Sequence, residues 1–256
     1  MTGLFWAAVR FQAQSLRRSP EYLMSLVTIP ALTIAFLAIV RNSGRDDLVP
    51  YAVLGAALMT VWATALYVCG ELIESERYGG TLEGLLAAPA PFSVLIIARI
   101  SLVTVVSFLG LAESGLIAWL LFGVTIPVPH PGLLLLTLLC TAFAMVGTSS
   151  IMSALFVLAR SARIFQNSLS YPFYLLGGLV VPVALLPGWL QPVSRVIFLS
   201  WTADLLRDCL RVESPADAVP RLAVIVGLGV LAFAAGLTMS RAILRRIRQN
   251  GSVGYA

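Results

Sequence analysis

Long apolar segments constrain this 256-residue chain more than any other feature. Helices rise about 1.5 Å per residue, so a segment of about 20 apolar residues crosses the roughly 30 Å of bilayer hydrocarbon. The chain is 59% hydrophobic and 11% charged, whereas a soluble domain is about 25% charged. We therefore predict an all-α integral membrane protein with six transmembrane helices, at about 21–41, 50–72, 92–122, 132–159, 165–183 and 219–241.

The segment before the first span predicts an amphipathic helix at residues 1–19, which Pro20 ends. Its apolar side carries Leu4, Phe5, Ala8, Phe11 and Leu16, and its polar side carries Arg10, Gln14, Arg17 and Arg18. A helix with this pattern lies on the membrane surface. We expect it to be an N-terminal interfacial helix.

The segment 184–218 is apolar but is broken at Pro187-Gly188. Its pieces are too short to span a bilayer, so we predict short re-entrant helices on the extracellular side, before the last span. The remainder, 242–256, is a cytoplasmic tail. The whole chain, 1–256, is then a single membrane domain, with spans 1–5 within 21–183 and the last span at 219–241.

Arginine sets the predicted orientation, because cytoplasmic loops of membrane proteins are enriched in basic residues. With both termini inside, eleven arginines lie on the cytoplasmic side and six on the outer side. Acidic residues such as Asp204 and Asp208 offset the outer six. The sequence therefore predicts a multi-pass protein with both termini in the cytoplasm.

The sequence lacks the residues that several classes of function require. Lysine is absent, so the chain has no P-loop lysine to hold nucleotide phosphates. Its cysteines, at 69, 140 and 209, and its single histidine, His130, show no metal-ligand spacing, so we predict no metal site. No nucleophile–base pair indicates an intramembrane enzyme, and we expect no catalytic residues. The dispersed arginines give little support to nucleic-acid binding.

The most unusual polar stretch is Glu74–Pro89, between the second and third apolar segments. Gly79-Gly80 permits a sharp turn, Thr81 is a suitable N-cap, and Glu83 follows in the first turn, where the helix dipole favours an anion. Leucines 82, 85 and 86 share one face. We predict a short helix parallel to the membrane, with an apolar stripe that faces a protein partner.

This loop resembles that of ABC-2 type transporter permeases, a family that includes bacterial drug-resistance and polysaccharide exporters. Gly80-Thr81-Leu82-Glu83, Leu85-Leu86 and Pro89 match the family's loop after its second helix, and Glu76-Arg77 match its charged approach. Tyr78-Gly79 replace an acidic residue common in the family. The overall pattern looks closest to daunorubicin-resistance-like exporters.

A looser match follows downstream. It consists of Pro172, Gly177-Gly178, Pro182, Leu186-Pro187 and Leu206-Arg207, whereas Leu199–Thr202 depart from the family's pattern. The resemblance covers nearly the whole chain.

The resemblance implies a dimer in which each permease docks one ABC ATPase subunit. The second permease subunit would be identical or different, the ATP and magnesium would belong to the ATPase, and this chain would hold no cofactor. The residues implied to couple to the ATPase are Glu74, Glu76, Arg77, Gly80, Thr81, Leu82, Glu83, Leu85, Leu86 and Pro89. The expected location is the bacterial inner membrane.

Four further residues are predicted to line the translocation path. Glu113 is an acid inside an apolar span, where charge is costly and usually functional. Gly177, Gly178 and Pro182 could form a flexible gate in the fifth span, or serve packing alone. We expect export of an amphipathic drug, lipid-like molecule or glycoconjugate. The alternative is an ion-driven secondary transporter, which should show paired intramembrane charges or inverted repeats.

Overall fold

The structure is a computed structural model that describes residues 2–18, 20–44, 48–80, 92–158, 162–213 and 215–250. Every regular element in these ranges is helical, which confirms the all-α prediction. The elements are α1 (Thr2–Arg18), α2 (Pro20–Asn42), α3 (Val49–Tyr78), α4 (Phe92–Ser107), α5 (Leu109–Phe122), α6 (Pro131–Leu158), α7 (Ala162–Leu176), a 3-10 turn (Val183–Leu185), α8 (Gln191–Arg195), α9 (Phe198–Cys209) and α10 (Ala218–Asn250).

Four stretches of the described chain are long and apolar enough to cross a membrane. They are Val49–Tyr78, Val94–Phe122, Pro131–Val157 and Ala218–Ile243. The predicted first span falls in α2. The part of α2 from Ala31 to Asn42 is apolar but shorter than a full span. The predicted fifth span falls in α7, which has 15 residues. The protein is therefore a multi-pass membrane protein by its helices, and the count of six spans stays a prediction.

Two predicted spans differ in detail from the helices observed. The third, 92–122, is interrupted at Phe108, where the N–H groups of Phe108 and Leu111 bond carbonyls three residues back, at 3.3 and 3.0 Å. The fifth was expected to reach 183, but its helix ends at Leu176. Gly178 adopts a positive φ of 68°, which glycine tolerates and which stops a right-handed helix.

The bundle has two polar ends, which α3 connects. At one end, Arg211 Nε donates a hydrogen bond to the Tyr51 hydroxyl near the start of α3. At the other end, Glu76 near the end of α3 pairs with Arg99. Glu76 lies 25 positions after Tyr51, which corresponds to roughly 40 Å of helix. Arginines assigned to opposite sides from sequence thus lie at opposite ends of the bundle.

Small residues let α6 and α10 pack closely along their length. A Cβ on Gly147 would lie 2.7 Å from the Gly229 carbonyl oxygen, and a Cβ on Gly236 would lie 2.0 Å from Ser150 Oγ. Gly227, on the same helix, has nothing within 4 Å of its added Cβ. Close approach through small residues is a main source of helix association in membranes, because lipid removes the hydrophobic driving force.

The predicted N-terminal helix is present as α1, and it packs on α4. Ala8 and Gln12 are buried, whereas Trp6 and Phe11 are more than half exposed. The buried face therefore includes a glutamine that the amphipathic pattern assigned to neither side. Whether α1 lies at a membrane surface stays a prediction.

Two short helices, α8 and α9, occupy the segment predicted to be re-entrant. Ser194 of α8 donates a hydrogen bond to the Leu176 carbonyl, and Trp201 of α9 donates one of 2.9 Å to the Arg195 carbonyl. These bonds fold the segment back onto the end of α7. Its extracellular position stays a prediction.

Candidate functional site

The polar loop begins where α3 ends. Gly80 has a φ of 67°, and its N–H bonds the Arg77 carbonyl at 3.1 Å. A residue with positive φ at this place reverses the chain and closes the helix end, and glycine does so without strain. Of the predicted coupling residues, Glu74, Glu76, Arg77 and Gly80 lie in this last part of α3 and its turn.

Arg99 of α4 is central to a polar cluster beside the last turns of α3. Its side chain is only 7% exposed, and Nη1 lies 3.2 Å from Glu76 Oε1. Its Nε donates a 2.7 Å hydrogen bond to Gln12 Oε1, and the guanidinium lies 5.1 Å from the Phe11 ring centre, within cation–π range. We call Phe11, Gln12, Glu76 and Arg99 the Arg99 cluster. It joins α1, α3 and α4.

Arg77 makes a second attachment, to α6. Its Nη2 donates to the carbonyl oxygens of Phe156 and Val157, at 3.3 and 3.0 Å. These residues belong to the last turn of α6, whose carbonyls have no partner within the helix and carry the negative end of its dipole. An arginine is well suited to this position. The end of α3 is thus bound to α6 as well as to α1 and α4.

The remaining predicted coupling residues are Thr81, Leu82, Glu83, Leu85, Leu86 and Pro89, and they lie outside the described residues. The loop returns to the described chain at Phe92, the first residue of α4. Arg99 lies two turns further along α4, and its contact with Glu76 therefore bridges the two helices that flank the loop.

Sequence reasoning missed two members of this site. Gln12 was assigned to neither face of α1, and Arg99 was counted only as a cytoplasmic charge. A lone arginine within the apolar run Val94–Val106 was the available signal, because a charge there is stable only when it is paired. Its partners are 87 and 23 residues away in the sequence, and no local pattern indicates them.

At the opposite end, two of the predicted translocation residues lie beside a second buried arginine. Arg207 of α9 donates hydrogen bonds to the carbonyls of Gly178 and Leu179, and with Pro182 it lines a cavity. Gly177 is close-packed, since an added Cβ would lie 2.4 Å from the Phe173 carbonyl oxygen. Burial lowers the pKa of Arg207, and Asp204 counteracts this most strongly.

Glu113 is separate from that group. It lies on α5 and lines neither this cavity nor the apolar cavity beside Trp119. The adjacent Ser114 is buried and accepts a 3.0 Å hydrogen bond from Thr33 Oγ1 of α2. The structure therefore gathers Gly178 and Pro182 with Arg207 and does not bring Glu113 into the lining of their cavity. No group of metal-ligating side chains occurs within the described ranges.

A search of curated proteins gives no significant match. A family model described as ABC-2 type transporter matches residues 3–210. The match begins in α1, includes the Arg99 cluster and the whole polar loop, and ends just beyond α9. The chain belongs to the ABC-2 type transporter family.

Proposed function

We propose that this chain is the permease subunit of an ABC exporter, moved by a separate ATPase that docks on residues 74–89. The chain has no lysine and so cannot form a P-loop, which supports a nucleotide site on the partner. ATP and magnesium belong to the partner. Two permease subunits, identical or different, form the membrane unit in the bacterial inner membrane, with both termini in the cytoplasm.

The observation that carries this proposal is the attachment of the loop's base to three other helices. Glu76 bonds Arg99 of α4, Arg99 bonds Gln12 of α1, and Arg77 bonds the end of α6. A freely moving loop would absorb a partner's movement. A loop whose base is bonded to α1, α4 and α6 passes that movement to the bundle, as coupling between two sites requires.

The proposed cargo is an amphipathic drug, a lipid-like molecule or a glycoconjugate. The polar loop follows one end of α3, and the cavity beside Arg207 is at the other end. The proposed coupling therefore runs from the loop to the cavity along the bundle. ATP hydrolysis by the ATPase at the loop would then change the access of cargo to the cavity at the opposite end. Pro182, which lines the cavity, and Gly178, whose carbonyl accepts a hydrogen bond from Arg207, are proposed to belong to the path.

Leu82→Asp tests the docking surface. A carboxylate placed on the loop's apolar stripe should disrupt a packed contact, and loss of a central apolar anchor typically weakens binding by 2 kcal/mol or more, about thirtyfold. We expect an affinity-tagged Leu82→Asp chain purified from native membranes to recover at least tenfold less ATPase than the wild type. Glu83→Arg should have the same effect through charge reversal.

Val212→Asp is the matched control. Val212 is 86% exposed and lies at the opposite end of the bundle, where its carbonyl contacts His130. It receives the same carboxylate and should recover the ATPase at wild-type yield. Equal ATPase yields from all four chains, together with unchanged ATP-driven efflux, would contradict the assignment of the loop.

A further inference from the structure

The cavity at the end of the bundle distant from the polar loop has two unlike walls. Its volume is about 670 Å³, which is within the range of ligand pockets. One wall is apolar and includes Phe36, Val40, Leu48 and Val180. The other wall is charged, and it consists of Asp204, Arg207, Asp208, Arg211 and Arg221. A cavity with this division fits an amphipathic molecule.

The charged wall carries an excess of positive charge. Among its described residues, three arginines face two aspartates, a difference of one positive charge. Two charges just outside the lining cancel one another: Arg195, which pairs with Asp204, and Asp217, which pairs with Arg221. Glu213 acts electrostatically on Arg211, also from outside the lining, so the excess positive charge belongs to the lining itself and is offset in its wider surroundings.

Each aspartate of this wall is shared between two arginines. Asp204 lies 2.8 Å from Arg195 and 3.6 Å from Arg207. Asp208 lies 2.6 Å from Arg221 and 3.5 Å from Arg211. Each aspartate is thus within hydrogen-bond distance of one arginine and farther from the other. The two arginines with long contacts, Arg207 and Arg211, are both in the cavity lining.

Arg207 is the least satisfied of them. Its side chain is only 8% exposed, and its Nη1 has no hydrogen-bond partner within the described part of the chain. Nη2 is occupied by the carbonyls of Gly178 and Leu179. A buried guanidinium whose Nη1 has only the 3.6 Å ion pair with Asp204 is incompletely satisfied, and an anionic oxygen is the group that best satisfies it.

We propose that this cavity binds the anionic head group of an amphipathic molecule, with a phosphate the best match, and holds its apolar part against the wall around Phe36 and Val180. Arg207 and Arg211 bind the head group, and Arg221 and the two aspartates hold those arginines in place. The reading of this molecule as cargo rests on the proposed export function. An outer-leaflet phospholipid offers the same head-group chemistry.

The test is direct binding to the purified full chain in nanodiscs of phosphatidylcholine, without ATPase or ATP. The probes are dodecyl phosphate, dodecyl maltoside and dodecyl trimethylammonium, each with the same fluorescent label on its chain. The phosphate should bind at least tenfold more tightly than the other two. Equal affinity for the three probes would overturn the proposal.

Two variants locate the binding. Arg211→Gln removes a largely exposed charge and should weaken phosphate binding about threefold. Val180→Trp fills the cavity without changing charge and should weaken it about tenfold or more. The control is Arg41→Gln, which removes an exposed arginine that bonds the Phe122 carbonyl near the same end but lies outside the lining. An equal loss in the control would mean attraction to the surface only, and would overturn the site.

A last arm identifies the occupant. Replacing one third of the phosphatidylcholine by phosphatidylglycerol should displace the probe if the site holds a membrane lipid, and should leave the probe bound if the site is reserved for cargo. Either result retains the site. Because no ATPase is present, failure of this binding leaves the export function standing, and failure of export leaves this binding standing.

Discussion

Arg99→Met is expected to destabilise the protein and to uncouple ATP hydrolysis from transport. Methionine keeps much of the length and apolar surface of the side chain but removes its bonds to Glu76 and Gln12. Breaking a buried ion pair costs about 3–5 kcal/mol. Because the Glu76 side chain is 20% exposed, hydration of its carboxylate offsets part of this cost. We expect the free energy of unfolding to fall by about 2–4 kcal/mol. Thermal unfolding in detergent measures it.

The coupling effect is measured separately, as molecules transported per ATP hydrolysed by the complex with its ATPase. We expect this ratio to fall at least tenfold, because the base of the loop is no longer bonded to α4 and, through Arg99, to α1. Arg10→Met, which removes an exposed arginine of α1, is the control and should change neither quantity. Wild-type transport per ATP in folded Arg99→Met would contradict the coupling role.

The paired variant Glu76→Gln/Arg99→Met separates the two effects. It leaves no unpaired carboxylate at the cluster, so stability should recover by about 1–2 kcal/mol relative to Arg99→Met alone. The ionic bond stays absent, and coupling should stay low. Recovery of coupling together with stability would mean that the Arg99 cluster serves folding only.

Gly236→Leu is expected to have the second large effect, on the packing of α6 against α10. A Cβ at this position would lie 2.0 Å from Ser150 Oγ and 2.9 Å from the backbone nitrogen of Ile151. The backbone contact cannot be relieved by a rotamer change, so the helices must separate. Overpacking of this kind costs about 1–3 kcal/mol and occasionally more. For a whole leucine side chain we expect the free energy of unfolding to fall by about 3 kcal/mol. The measurement is the unfolding temperature, which should be lower than that of the wild type.

Gly227→Leu is the matched control on the same helix. Nothing lies within 4 Å of its added Cβ, and the same substitution there should change stability by no more than about 0.5 kcal/mol. Similar unfolding temperatures for the two variants would show that α6 and α10 are not held together by this close approach.

The positions of the long helices could be predicted from the sequence because hydrocarbon imposes a length and an apolar composition on each span. The segment predicted at 132–159 is α6, which runs from Pro131 to Leu158. The interruption at Phe108 could not be predicted, since its neighbours form a continuous apolar run. The early end of α7 had a visible cause in Gly177-Gly178, but two glycines in a membrane helix are equally compatible with packing.

The candidate site was predictable only in part. Glu76 and Arg77 were selected as members of the polar stretch Glu74–Pro89 that match the family's charged approach, and both make bonds to other helices. Gln12 and Arg99 become neighbours only through the packing of α1 on α4, a long-range contact that no local spacing encodes. From the sequence, the charged residues of the cavity were used only to predict orientation, as outer arginines that acidic residues offset. The sharing of Asp208 depends on how α9 meets α10, and the sharing of Asp204 depends on how α8 meets α9.

The most direct test of the central claim is transport in proteoliposomes that contain this chain and its co-purifying ATPase. A fluorescent amphiphile should cross the membrane only when ATP is present, and replacing the Walker lysine of the ATPase by alanine should abolish its movement. An ion gradient imposed on the chain alone should move nothing. Movement of the amphiphile by the chain alone on an ion gradient, at the rate of the complete complex, would contradict the account.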